Sequence, residues 1–502
     1  MRMSRKVIMV SLFCLCFVQA SVVSGTKNTE LSLEQALHKI IANNLSAASL
    51  GYEIKQSDSA YERYQTKFSP FMSLSSGIQN TNLDPADLNA VYGSQFNKAD
   101  ASINLGQSFK TGTTVIGGYQ ESYTNYTVPG PYLAGHSTSW HSPAFYVQVK
   151  QDLLKNSFGY TDQLQNEILK NVSKSKQIAA EYQLSGLIVG CMIDYWTVAE
   201  NQKKLASTER ELTTYKKIYK AVEANVSMGL YDTYNLYQFN ALIAGSEAKL
   251  SMVQLRNNMA IHKMLRNLNM QDVSENTLSL VSLDTSPHKY DKTSLLNVAL
   301  EKRADIQNIR ISIESAQKQL QILNNQDLPS LQFQLQATGL GYDQDYLKAT
   351  QQALNFSHPN WETRFTAMKI LDDKDTRTQR RDLEYKMAQA NLQLQTLKNQ
   401  IQDDVYEGVD SIQAAYTGYE KTKIMVDNTL LYMDALLTRL RQGKISTIEL
   451  KNAVDMMVAA NNAHAEAITY YNIALLNLDL VTNTLLEKYH IDINTLVKEP
   501  KL

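Results

Sequence analysis

The sequence predicts a mainly α chain with a small β part. Long antiparallel coiled-coil helical hairpins form an α-barrel, joined to a transmembrane β-barrel shared among three protomers, with an internal duplication. Three observations carry that expectation. Two stretches, 144–286 and 360–499, contain none of the nine prolines. Short segments beside them alternate strictly between apolar and polar residues. The whole plan also occurs twice in 502 residues.

The chain opens with a basic start, Met1 to Lys6, an apolar run, Val7 to Val18, and small residues in Val18-Gln19-Ala20. That is the order of a secretory signal, placed over 1–20, which directs export. The apolar run is too short to span a bilayer as a helix. Of three cysteines only Cys191 then remains, so no intramolecular disulfide forms. In "LIVGCMIDYW" it reads as a small core hydrophobe. With 49 basic and 50 acidic residues the formal net charge is −1, without the basic excess of a nucleic-acid binder. The eight histidines are scattered without metal-ligand spacing, and no phosphate loop, nucleophile elbow or carboxylate pair is present. The reading is therefore of a non-enzyme, with no catalytic residue, no cofactor and no metal.

Proline costs about 3 kcal/mol in a helix interior, so proline-free stretches this long permit long helices. Their apolar residues keep heptad time. Leu383, Met387, Ala390, Leu394, Leu397 and Ile401 step by fours and threes, and Val426, Leu430, Met433, Leu437 and Leu440 resume the beat. Leu205, Leu212, Tyr215, Tyr219 and Val222 do the same earlier. Such a narrow stripe packs on one or two neighbouring helices rather than into a wide core. A helix from Thr376 to Leu440 would be on the order of 100 Å long. Taken alone, the stripe also suits a dimeric coiled coil.

Each long helix meets a glycine, Gly229 or Gly443, followed by polar residues and another periodic run. A glycine there caps one helix and lets an antiparallel partner begin. Ser446 with Glu449 has capping-box spacing. The repeat pairs 32–77 with 294–339, each running from a Ser-Leu start through a helix to a proline, Pro70 or Pro329, and into a strand. The units follow: 21–70, first entry helix; 71–152, strands and loops; 153–286, a helical hairpin with its tip near 229. The second copy gives 287–328, entry helix; 329–370, strands and a loop; 371–487, a hairpin with its tip near 443; and a tail, 488–502.

In "PSLQFQLQATG" Leu331, Phe333, Leu335 and Ala337 share one parity, and Gln332, Gln334 and Gln336 the other. In "AFYVQVKQ", Phe145, Val147 and Val149 oppose Tyr146, Gln148 and Lys150. "WETRFTAMK" is the matching strand of the second copy. An exported chain with two-faced strands can cross a membrane as a barrel. The glutamines, with Gln148 and Lys150, then face a water-filled lumen. Tyr123, Tyr126, Tyr132, Trp140, Phe145 and Trp361, near strand ends, suit a membrane interface. One chain offers about four convincing strands, too few to close an open barrel, so closure points to a homotrimer with about twelve. "ASINLGQSF" and "TTVIGGYQESY", within 100–123, either join the barrel or form an outer hairpin.

The signal, the duplicated helix–strand–helix plan, "LP" before the strand, the "G..S..E" turn and the ending "YYNIALLNLDLVTN" resemble the TolC family of outer-membrane factors. The resemblance spans about residues 30–490. Leu478 and Asp479 match the family's Leu-Glu pair, with Asn483 where glycine is usual, and Asp152 replaces a common proline in "VKQDLLKNSFGYTDQ". It implies a trimeric channel in outer-membrane lipid, docked on a periplasmic adaptor (membrane fusion) protein and an inner-membrane transporter, conducting small molecules or secreted proteins passively. Its periplasmic aperture would lie at Gly229, Asp232, Asn235, Gly443, Ser446, Glu449 and Asn452. Glu449 matches the family's first acidic position, while Asn452 and Asn235 are neutral where acidic residues are usual; Glu449 either lines the mouth or only caps a helix. The alternative is an exported coiled-coil structural or adhesive protein without a channel.

Overall fold

The computed structural model describes residues 29–491, except 32, 85, 270–277, 281–282 and 443. The expected signal, Gly443 and residues 492–502 lie outside the described residues. The first half runs β1 (Thr29–Leu31), α1 (Leu33–Asn43), α2 (Leu45–Gln56), α3 (Ser59–Gln65), β2 (Phe71–Asn82), β3 (Gly93–Ser108), β4 (Thr113–Pro129), β5 (Ser139–His141), β6 (Ala144–Asp152), α4 (Tyr160–Ser227) and α5 (Tyr234–Asn267). The second runs β7 (Leu278–Leu280), α6 (Lys292–Lys302), α7 (Ala304–Gln326), β8 (Ser330–Leu340), α8 (Tyr346–Leu354), β9 (His358–Met368), α9 (Lys374–Arg441), α10 (Thr447–Val481) and α11 (Leu485–Lys488).

Helices α4 and α9 each have 68 residues, about 100 Å of rise. Their partners α5 and α10 are half as long, so one partner cannot cover either rod. In the half beside the tips the layer runs α5–α4–α10–α9; in the half beside the sheet, α2, α3 and α7 lie on α4, and α6 and α7 on α9. The breaks that make this possible are locally written. Asn44 Oδ1 accepts from Ser46 N and Ala47 N at 2.9 and 3.0 Å, starting α2. At the matching break Arg303 joins Asp305 and Asp404 at 2.8 and 2.6 Å.

The stripes bury as coiled-coil seams, with one shift. Ile401 is fully buried against Ala299 and Ile306, and Leu394 and Leu397 pack beside it. Further along, Met433 and Leu440 are buried, but Leu430 is exposed, and Leu436 is buried with them while Leu437 packs at the edge of the same core, half-buried. A straight helix has 3.6 residues per turn, so a strict heptad drifts off its seam over this length. At mid-length Leu184, Ile188, Met192, Tyr195 and Trp196 pack with Leu37, Ile40, Met264 and Ile468. Cys191 belongs to this core, and burial pushes its thiol up to about 11.

β1 and β7 form a small parallel pair. The main sheet is antiparallel in the order β2-β3-β4-β6-β8-β9, with β5 paired to the outer part of β4. "ASINLGQSF" and "TTVIGGYQESY" are parts of β3 and β4, so the strands expected at about four per chain number six along this path. Among the described residues no helix is long and apolar enough to cross a membrane.

Candidate functional site: a two-faced sheet and a helical tip

Alternation on one strand assigns faces only to that strand; the register extends the assignment across the sheet. Met72, Leu74 and Ile78 oppose Leu105, Ile103 and Ala99. Leu105 and Ile103 oppose Gly117 and Tyr119, and these oppose Val147 and Phe145. Val149 and Val147 oppose Leu335 and Ala337, which oppose Thr363 and Trp361, while Phe333 meets Phe365. One face of all six strands is therefore apolar over its middle. It is uncovered over much of its area: Ile78 is 88% exposed and Trp361 74%.

The opposite face carries Ser73, Ser75, Lys98, Ser102, Asn104, Gln148, Lys150, Gln332, Gln334, Gln336, Glu362 and Arg364. These side chains bond across strands. Gln148 Nε2 donates to Gln336 Oε1 at 2.8 Å, the Ser75 and Ser102 hydroxyls lie 2.8 Å apart, and Gln332 Nε2 donates to Asp152 Oδ1 at 3.2 Å. Lys150 stands opposite Gln334. Strands of 9 to 17 residues suffice for the 9 to 11 or so that a tilted transmembrane strand needs. Tyr123, Tyr126, Trp140, Phe145 and Trp361 all lie toward the end of the sheet farthest from the helices, where Trp140 stacks between Tyr126 and Tyr342 at 5.4 Å.

A polar knot joins sheet to rods. Asp162, near the start of α4, receives Tyr64 Oη at 2.9 Å, Lys67 Nζ at 2.5 Å and Asn156 Nδ2 at 3.1 Å. Burial alone would raise the Asp162 carboxyl, but these donors outweigh it and hold it below the ordinary value. Asn156 N in turn donates to Asn325 Oδ1 of α7 at 2.8 Å. Gly159, at φ 74°, brings the chain against Lys110 O, where a Cβ would lie 1.8 Å away. No sequence spacing announces this knot, because Tyr64 and Asp162 are 98 residues apart.

At the other end the two hairpin tips interlock. Gly229, at φ 72°, closes α4 as a Schellman turn: Gly229 N donates to Val226 O at 2.9 Å and Leu230 N to Asn225 O at 2.8 Å. Asn225 Nδ2 reaches Leu440 O at 3.0 Å, and Tyr231 Oη reaches Ile445 O at 2.5 Å. Asn235 is buried; it donates to Asp232 O at 3.0 Å, and its Oδ1 accepts from Thr447 Oγ1 at 2.9 Å. Ser446 Oγ accepts from Ile448 N at 3.2 Å, one residue short of the capping-box donor. Glu449 and Asn452 are exposed. Thr447 and Tyr231, which tie the tips together, carry no sequence signal of that role. Asn483 ends α10 at φ 54° in a second Schellman turn, with Thr484 N on Asp479 O at 3.0 Å. Among the described residues no group of His, Cys, Asp and Glu could hold a metal.

No family model matches this chain, and no curated protein does. Solved structures do. The Campylobacter jejuni CmeC outer membrane channel superposes with a TM-score of 0.65, at 11% identity over 93% of this chain and 90% of that one. VceC, an outer membrane protein of Vibrio cholerae, gives 0.63 at 13% over 90% and 95%. The open state of the Neisseria gonorrhoeae MtrE outer membrane channel gives 0.63 at 11% over 93% and 94%. The fold is that of the TolC-like outer-membrane channels. At such identities the likeness is one of fold, and it extends over both sheet and rods of the channel architecture.

Proposed function

We propose that this chain is the protomer of a homotrimeric outer-membrane channel-tunnel, exported by its signal segment. The channel passively conducts small molecules or secreted proteins from a periplasmic adaptor and an inner-membrane transporter to the exterior. One observation carries the reading: the apolar and polar faces stay in register across all six strands, so one side suits lipid and the other a water-filled lumen. Gln332, Gln334, Gln336, Gln148 and Lys150 line that lumen. The rods continue it as a duct in the periplasm, and the interlocked tips form its mouth, with Gly229, Asp232, Asn235, Gly443, Ser446, Glu449 and Asn452 around the aperture. The two halves share the order helices, strands, long hairpin, with β3–β5 additional in the first and α8 in the second, as an internal duplication with insertions would leave them.

Exposed apolar residues on the outermost helices, Met252, Leu255 and Met259 of α5 and Ile424, Met425 and Leu431 of α9, supply the flanks on which further copies pack. An exported coiled-coil protein without a channel would leave Ile78, Trp361 and Phe365 in water. Two measurements test the reading together: crosslinking of the full chain in outer-membrane vesicles, and single-channel recording in planar bilayers. A covalent trimer with stable conductance is expected; a monomer or dimer without conductance overturns it. Glu449→Gln should lower cation preference, and an unchanged reversal potential would remove Glu449 from the mouth.

A further inference from the structure

In the second half of the chain a helix, α8, fills the connection between β8 and β9; in the first half β3 and β4 stand between β2 and β6. This hairpin does not hang outside the sheet. β2 and β6 are not neighbours: β3 pairs with β2 from Phe71↔Gly106 to Asn82↔Gln95, and β4 pairs with β6 from Thr113↔Gln151 to Gln120↔Ala144. Its faces match the rest, with Ala99, Ala101, Ile103 and Leu105 on the apolar side and Lys98, Ser102 and Asn104 on the polar side. A strap ties it in. Tyr146 Oη of β6 reaches across β4 to Asn104 Oδ1 of β3 at 2.6 Å, and Asn104 Nδ2 donates to Ser73 Oγ of β2 at 3.3 Å. Gly118 makes the passage, since a Cβ there would lie 2.4 Å from Asn104 Oδ1 and 2.6 Å from Tyr146 Cζ.

The geometry points to a pore wall built from six strands per copy, eighteen in the three-copy ring, with β3 and β4 inside the wall. This rests on the trimeric reading above and adds the strand number and the width. Six strands about 4.8 Å apart, tilted about 40°, occupy about 38 Å of arc, whereas four occupy about 25 Å. Four helices at interaxial distances of about 8–10 Å occupy about 32–40 Å. The six-stranded sheet thus matches its own helical layer, and its ends continue into that layer's ends: β2 follows α3, which lies on α4, and β9 leads into α9, the outermost helix. Both edge strands, β2 and β9, are exposed along nearly their whole length. The occupant that fits each is the opposite edge of a second copy, a head-to-tail contact that closes as a ring.

The test labels Ala101→Cys, Ser102→Cys, Ile103→Cys and Asn104→Cys singly in outer-membrane vesicles with a water-soluble maleimide, after trimer formation is verified by crosslinking in the same samples. Cys191 is buried with a raised thiol pKa and supplies little background. Positions 102 and 104 should react, and 101 and 103 at least about tenfold more slowly, because a thiol in apolar surroundings resists ionisation. Equal reactivity within a verified, conducting trimer would put the hairpin outside the wall and leave the channel reading standing. Absence of the trimer would overturn both.

Discussion

Three residues show how a single side chain governs this molecule. Asn235 is buried at the tip, and its Oδ1 accepts from Thr447 of the other hairpin. Asn235→Ala removes the nearer of that hydroxyl's two acceptors, leaving Gln238 Oε1 at 3.2 Å, and also the bond to Asp232 O, a loss of about 1 kcal/mol. Faster amide exchange is expected on both tips, around residues 229–240 and 444–452; exchange confined to the first hairpin would count against the interlock. Gly229→Ala meets no atom within 4 Å, so its cost is purely that of a left-handed backbone, about 1–2 kcal/mol. A thermal unfolding shift of that size checks it, and no shift would mean that the turn relaxes. Asp162 gives a pH dependence. Its folded pKa lies below the ordinary 3.8, so its contribution is present above that value and is lost as pH falls through the folded one. Asp162→Asn should therefore destabilise the neutral protein and flatten the acid limb of stability against pH; an unchanged acid limb would exclude this knot as its source.

At the scale of elements, the rods were legible because periodicity survives in one dimension. Leu394, Leu397 and Ile401 repeat at helical spacing whatever they pack on, and the glycine at 229 marks a turn without knowledge of its partner. Ile401→Ala, at a fully buried seam position, should cost about 2–5 kcal/mol by denaturant unfolding, whereas the exposed Leu430→Ala should cost far less in the isolated chain. Equal effects would mean that the seam is misplaced. Legibility fails where pairing is non-local. Alternation in β3 and β4 is the same for a wall strand and for an outer hairpin, so only the register with β2 and β6 distinguishes them. Helix α8, folded onto the apolar face with Ala349 and Ala353 against Gly341 and Gly339, lies in a segment read only as strands and loop. The knot at Asp162 and the Thr447 contact join residues far apart in the chain and of ordinary type. The face assignment of Gln148 and Gln336, by contrast, needed only parity.

For the whole molecule, one chain leaves three kinds of surface unmatched: two sheet edges, two helical flanks and an apolar belt. Further copies of the same chain would match the edges and flanks, and hydrocarbon would cover the belt, because exposed apolar area of this extent is unfavourable in water. The channel proposed above would answer both, with the polar face lining its lumen. The most direct measurement places nitroxide labels at Phe333→Cys and Gln334→Cys in the membrane-inserted protein and compares collisions with oxygen and with a water-soluble nickel chelate. Oxygen should dominate at 333 and nickel at 334, since adjacent strand residues face lipid and lumen. Like surroundings at the two positions would contradict the channel.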